Sequence, residues 1–151
     1  MSRTRQRGSQ AVEFALVLPF LILVIFAVMD LGIVVYNKSV ITNASREAAR
    51  RGIILSAATW NTDTIKQVAC NYARDALITV STGTRTSTCS GTADPVVAVT
   101  PATAPAFADP VTVTVTYSVN GFSLGTWWSL GTTSNVGSPL TLTASTQMNH
   151  E

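Results

Sequence analysis

The sequence predicts an α+β chain, with a long N-terminal helix, a second shorter helix and a small antiparallel sheet. Three observations predict it. Phe14–Met29 is a run without a single charge. Small and apolar residues then recur at spacings of three and four, as Ile41, Ala44, Ala48 and Gly52. Finally, DPVTVTVTYSVN alternates strictly, with Val111, Val113, Val115, Tyr117 and Val119 facing one way and Thr112, Thr114, Thr116 and Ser118 the other. The first two patterns are helical and the third is that of a strand.

The helix begins after MSRTRQRGSQ. Charged residues make up only 12% of the chain, about half the ordinary share, and the apolar excess is concentrated in this run. Phe14–Met29 makes a helix of about 24 Å, short of a bilayer core of about 30 Å. Continued past Asp30 to Tyr36, it reaches about 34 Å and spans. Arg3, Arg5 and Arg7 precede the run, and only Lys38 follows it before Arg46. Positive-inside reasoning therefore puts the N-terminus in the cytoplasm and the rest outside. As a cleaved secretory signal the run is too long, and no small-x-small site follows it. A retained anchor is expected. Pro19 removes one helical donor and predicts a slight kink.

Beyond the membrane the helix continues as an amphipathic stalk to about Leu55. The stripe Ala44, Ala48, Gly52 allows close approach, either by the chain's own sheet or by another subunit. A second helix is predicted in NTDTIKQVACNYARDALITV, capped by Thr62 or Asp63, with Ile65, Val68, Ala69, Tyr72, Ala76 and Leu77 sharing a face. STGTRTSTCSGTAD is a Ser/Thr/Gly loop. Cys70 and Cys89 flank this region. In an oxidising compartment they form one disulfide, closing a loop worth about 3 kcal/mol; the alternative is two buried thiols.

PVVAVT is a short strand, DPVTVTVTYSVN the clearest one, and LTLTASTQM repeats the alternation through Leu140, Leu142 and Ala144. Between the last two, Asn120-Gly121 either opens a tight hairpin with FSLGTWW returning, or the whole piece is a long loop. Trp127 and Trp128 in that piece either anchor a partner or membrane surface, or fold back over the core.

Chemistry by catalysis is not expected, and no cofactor or metal is. The single histidine, His150, has no evident partners, and two cysteines with one histidine give no zinc spacing. There is no phosphate-binding glycine loop. Asp63, Asp75, Asp94 and Asp109 stand mostly at caps and before prolines, as turn chemistry requires. The net charge of +2, largely from the N-terminal arginines, gives no support for nucleic-acid binding. Two Asn-x-Ser sequons, at Asn37 and Asn43, fall on the predicted stalk and are taken as chance.

The N-terminal stretch differs, because several features coincide in it. A basic leader ends in Gly8; Ser9 follows, then Glu13 at the fifth position after the glycine, then Phe14 and the apolar run. This resembles the processing signal of type IV pilins and pseudopilins. GSQAVEFALVLPFLILVIFAVMDLG with ITNASREAAR, roughly Arg7 to Gly52, is more narrowly similar to the TadE-like pseudopilins of tight-adherence (Tad) pili. VTVTVTYSV and TLTASTQMNHE are similar to that family's C-terminal strands, less specifically. Asp30 departs from the wider class, which continues without charge there, and fits the narrower family.

The resemblance implies a pilin-like fold with a leader at 1–8, a transmembrane helix at 9–36 and an exported stalk and head at 37–151. It implies cutting after Gly8 by a membrane prepilin peptidase. The product would be a minor pseudopilin in the bacterial inner membrane, acting in Tad pilus assembly and so in adhesion and biofilm formation. Its partners would be other pseudopilins, pilin subunits and the inner-membrane assembly platform. Ser9 would carry the new ammonium and Glu13 would pair with a neighbour's. On spacing alone, Glu13 is equally a bystander at headgroup level. Asp30 either sits at the outer interface or meets a partner subunit. The rival from another class is an uncleaved, membrane-anchored binding module of the cell envelope, holding its ligand through Trp127 and Trp128.

Overall fold

The computed structural model describes residues 7–78, 84–91, 94–119 and 140–150. Five elements are described: helix α1 (Arg7–Ile54), helix α2 (Thr62–Arg74), and strands β1 (Val96–Thr100), β2 (Pro110–Val119) and β3 (Leu140–Asn149). The fold is α+β. The proposed hairpin at Asn120-Gly121, the FSLGTWW strand, Trp127 and Trp128 lie outside the described residues.

Helix α1 has 48 residues and runs through Pro19, about 72 Å in all. Its two halves differ in what they touch. From Gln10 to Gly32 every residue is exposed except the half-buried Leu23 and Asp30. From Ile33 onward one face is covered: Ile41, Ala44, Ser45, Ala48 and Ala49 are fully buried. The small-residue stripe therefore packs within the chain. A Cβ on Gly52 would lie 3.1 Å from Val111 Cγ1 and 3.3 Å from Ile65 Cδ1, so sheet and α2 both reach the helix there.

Helix α2 returns antiparallel to α1. Its cap is Asn61, one residue before the expected Thr62 or Asp63: Asn61 is extended (φ −149°, ψ 113°) and its side chain accepts from the Asp63 N–H. Asp63 instead places a negative charge in the first turn, where the helix dipole favours it. The buried face is Ile65, Ala69, Cys70 and Ala73, continued by Leu77 after the helix ends. Tyr72, expected on that face, is exposed, and Val68 and Ala76 are half-buried. A true i, i+4 row from Ile65 passes through Ala69, Ala73 and Leu77, and Tyr72 lies one residue off it.

The sheet has the order β1-β2-β3, antiparallel throughout. β2 is central, and Val111, Val113, Val115, Tyr117 and Val119 are all buried against the helices. Leu142 and Ala144 extend that face on β3, whereas Leu140, at the strand's start, is exposed. Thr112, Thr114, Thr116 and Ser118 form the opposite face.

Strand β3 lies parallel to the upper half of α1. The Lys38 ammonium donates to the Thr143 carbonyl, Ser45 Oγ meets Thr146 Oγ1 at 2.7 Å, and His150 Nε2 meets the Leu55 carbonyl at 2.8 Å. Lys38 to Leu55 is about 25 Å of helix and Thr143 to His150 about 23 Å of strand, so the two rise together. Among the described residues, the polar contacts of the head to α1 thus run from Asn37 to Leu55.

Two glycines of α1 test this packing. Gly52→Val forces side-chain shifts in Val111 and Ile65 and should cost about 2 kcal/mol. At Gly32 nothing lies within 4 Å of an added Cβ, and Gly32→Ala should leave the unfolding midpoint unchanged or raised. Denaturant unfolding of the purified chain in detergent compares the two.

Candidate functional site

The candidate residues fall into two separate regions. Gly8, Ser9, Glu13 and Phe14 share the first turns of α1, which is already helical from Arg7. The processing position that the resemblance implies, Gly8–Ser9, lies in the helix's first turn. That turn is the easiest to unwind, because its N–H groups have no partners within the helix. Phe14 is exposed. Asp30 is half-buried, 17 residues and about 25 Å beyond Glu13. One helix in the described residues is long and apolar enough to cross a membrane, and its most apolar window is wholly uncovered.

The second region is the head. Cys70 and Cys89 are joined, with Cα atoms 5.9 Å apart. Around the bridge, the loop 84–91 is held by side chains. Asp94 Oδ2 accepts from the Thr86 N–H (2.8 Å), the Thr86 hydroxyl (2.9 Å) and the Gly91 N–H (2.8 Å). A Cβ on Gly91 would come within 2.1 Å of the Thr84 carbonyl, so only glycine fits. Arg85 donates to the Leu77 carbonyl (2.6 Å) and to the Arg74 carbonyl, closing the C-terminal end of α2. Gln67 Nε2 donates to the Ser87 carbonyl at 2.7 Å.

Burial alone would push the Asp94 carboxyl up. The Thr86 and Gly91 donors and the Arg85 charge outweigh that and hold its pKa below the ordinary carboxylate value. Asp75 is also lowered, by its hydrogen bond and ion pair with Arg74 at the exposed end of α2.

Three residues matter that sequence reasoning passed over. Asn37 is fully buried; its Nδ2 donates to the Ile78 carbonyl (2.7 Å) and its Oδ1 accepts the Ile78 N–H (2.9 Å). The signal was present, because Asn37 lies four residues before Ile41, on the buried row. Ser45, which meets Thr146 across the stalk, occupies the same covered face. His150, which seemed to have no partners, is buried: Nε2 donates to the Leu55 carbonyl and the ring stands edge-on to Trp60, 6.3 Å between centroids. Its backbone pairs with Ala108 and Asp109.

The histidine is spent on a carbonyl, and no group of three or more His, Cys, Asp or Glu among the described residues could hold a metal ion. A cleft of about 280 Å³, lined by Asp63, Lys66, Gln67, Thr88, Cys89 and Val97, lies below the usual range for a ligand pocket.

Residues 8–50 match the family model described as TadE-like protein. The match holds Gly8, Glu13, Asp30, Asn37 and most of the small-residue stripe, and leaves α2 and the sheet outside. No curated protein matches the chain, and no solved structure does.

The folded pKa of Asp94 lies below its unfolded value. Its stabilisation is therefore complete above the unfolded value, about 3.9, and is lost as the pH falls through the folded one. Asp94→Asn should lower stability by about 2 kcal/mol at neutral pH. It should also flatten the loss of stability below pH ~4 that the parent chain shows. Thermal unfolding across pH, with the disulfide oxidised, measures both.

Proposed function

We propose, from the match of residues 8–50 to the TadE-like model, that the chain is a minor pseudopilin of a Tad pilus. Residues 1–8 are its leader, 9–36 its membrane helix and 37–151 its exported stalk and head. The precursor inserts into the bacterial inner membrane with its N-terminus in the cytoplasm, directed by Arg3, Arg5 and Arg7. A prepilin peptidase cuts after Gly8, and the trimmed subunit joins pilin subunits and other pseudopilins at the membrane assembly platform. Its contribution to adhesion and biofilm formation is structural, through the pilus.

One observation carries this reading: Gly8, Ser9 and the Glu13 carboxylate coincide within the first turns of an uncovered apolar helix. Cutting the Gly8–Ser9 bond creates an ammonium on Ser9. Glu13 lies about 6 Å from it along the axis. In parallel helices offset by about one turn, the Glu13 carboxylate of one subunit comes level with the Ser9 ammonium of the next. At low dielectric a charge without a counter-charge costs several kcal/mol, so this offset is favoured over others. Glycine at the cut leaves the backbone open to the protease, and the first helical turn is released at small cost.

Asp30 would reach the outer boundary of the bilayer under this reading, where a carboxylate is tolerated.

Two measurements test the reading. Co-expression with a prepilin peptidase should remove Met1–Gly8, seen by intact mass, and Gly8→Leu should abolish the loss. An unchanged mass beside an active peptidase would favour the uncleaved anchor instead. Glu13→Ala should leave cleavage largely intact yet reduce piliation at least tenfold; normal piliation in that variant removes the pairing role.

A further inference from the structure

The head leaves no free helix between itself and the bilayer. Gln10–Gly32, the uncovered part of α1, measures about 33 Å, against a hydrocarbon core of about 30 Å. Ile33 and Val34 already pack against the head's core. Asn37, about 8 Å above Gly32, is fixed to Ile78 by two hydrogen bonds, which brings the end of α2 down to the same level. On β3, Leu140 lies about 10 Å nearer the apolar half than Thr143, which Lys38 reaches. Each headgroup layer is about 5–7 Å thick. The base of the head therefore reaches across it, with Leu140 near its inner edge, about level with Gly32, and Ile78 at its outer edge.

The side chains at this level suit that layer. Val35 (61% exposed), Tyr36 (46%), Ile78 (43%) and Leu140 (51%) all show apolar surface. Scattered exposed apolar residues are ordinary. These four gather at one end, continuous with the apolar helix. The charged groups near them are Asp30, Lys38, Arg85 and the Arg74–Asp75 pair, which nearly balance. Attraction to anionic lipid is therefore not what would hold the base down.

We propose that this base, formed by Tyr36, Ile78 and Leu140, is a membrane-interface surface that seats the head directly in the outer headgroup layer. The Asn37 clamp positions it by tying Ile78 to the helix as it leaves the hydrocarbon. The proposal rests on the membrane-anchor part of the function above. It is independent of cleavage and of pilus assembly.

The test uses the full chain, oxidised at Cys70–Cys89, in phosphatidylcholine nanodiscs. A nitroxide is placed singly through Ile22→Cys, Ile78→Cys, Leu140→Cys and Phe107→Cys, all at exposed positions. Phe107 is at the far end of the head, where the neighbouring Ala108 bonds to His150. Collision with oxygen and with a water-soluble nickel chelate then gives each label's depth. Expected are a label at 22 in hydrocarbon, labels at 78 and 140 at headgroup depth with nickel accessibility several-fold below that at 107, and a fully aqueous label at 107. If 22 is buried while 78 and 140 match 107, the seated base is wrong and the anchor stands. If 22 is itself aqueous, the anchor fails and the seated base with it. Adding phosphatidylglycerol should change nothing; protection at 78 and 140 that arises only with it would overturn the apolar account.

Discussion

Everything in the head depends on how closely the sheet and α2 can approach α1. Ala44, Ala48, Ala49 and Gly52 put almost no side chain between the helix backbone and its neighbours, and all are buried. Into that space come Val111 from β2 and Ile65 from α2, both in reach of the same glycine. Larger residues at these positions would lift both elements off the helix together. The core is thus a three-way junction of sheet, α2 and stalk, and no two of these bury it alone. An open sheet with one apolar face needs another layer to cover that face, and the stalk and α2 supply it.

Apolar packing fixes distance but not height along a helix, and polar contacts set the height. Asn37 with Ile78 holds one end of the head, His150 with Leu55 the other, and Ser45 with Thr146 lies between. The first two use backbone groups that an element's end would otherwise leave without a partner, the Leu55 carbonyl past the end of α1 and the Ile78 backbone past α2. The head is consequently tied along about 25 Å of helix. An axial shift of the apolar half of α1 is passed to the head with little room for slippage.

Much of this was legible in the sequence. The period-two alternation of Val111–Val119 identified the central strand and its buried face residue by residue, because a strand in the middle of a sheet has few competing demands. The stripe on α1 was equally clear, and its partner proved to be the chain's own sheet. The cap of α2 and the face of Tyr72 were misplaced. A run such as Asn61-Thr62-Asp63 offers three good capping residues, and only the backbone angle at Asn61 decides among them. What His150 and Asp94 bond to could not be read. Their partners, Leu55 and Thr86 with Gly91, are set by tertiary packing, and a lone histidine has no spacing to interpret. Asn37 was legible in principle: the helical row that contains Ile41 passes through it. It was noted only as part of an Asn-x-Ser sequon and taken as chance.

The position of Asn37 makes physical sense of that ambiguity. An amide within the hydrocarbon would be costly, and the same amide one turn higher on the exposed side of the stalk would do little. At the point where the apolar run ends, on the face that turns toward the head, it is shielded from water and has both of its polar ends satisfied by one residue. Leucine there would extend the apolar run without a preferred height for α2, since aliphatic contacts tolerate sliding. The paired amide has one geometry that satisfies donor and acceptor together. A polar residue at this boundary therefore ends the apolar half of α1 and registers the head in the same place, which is why no linker separates the two.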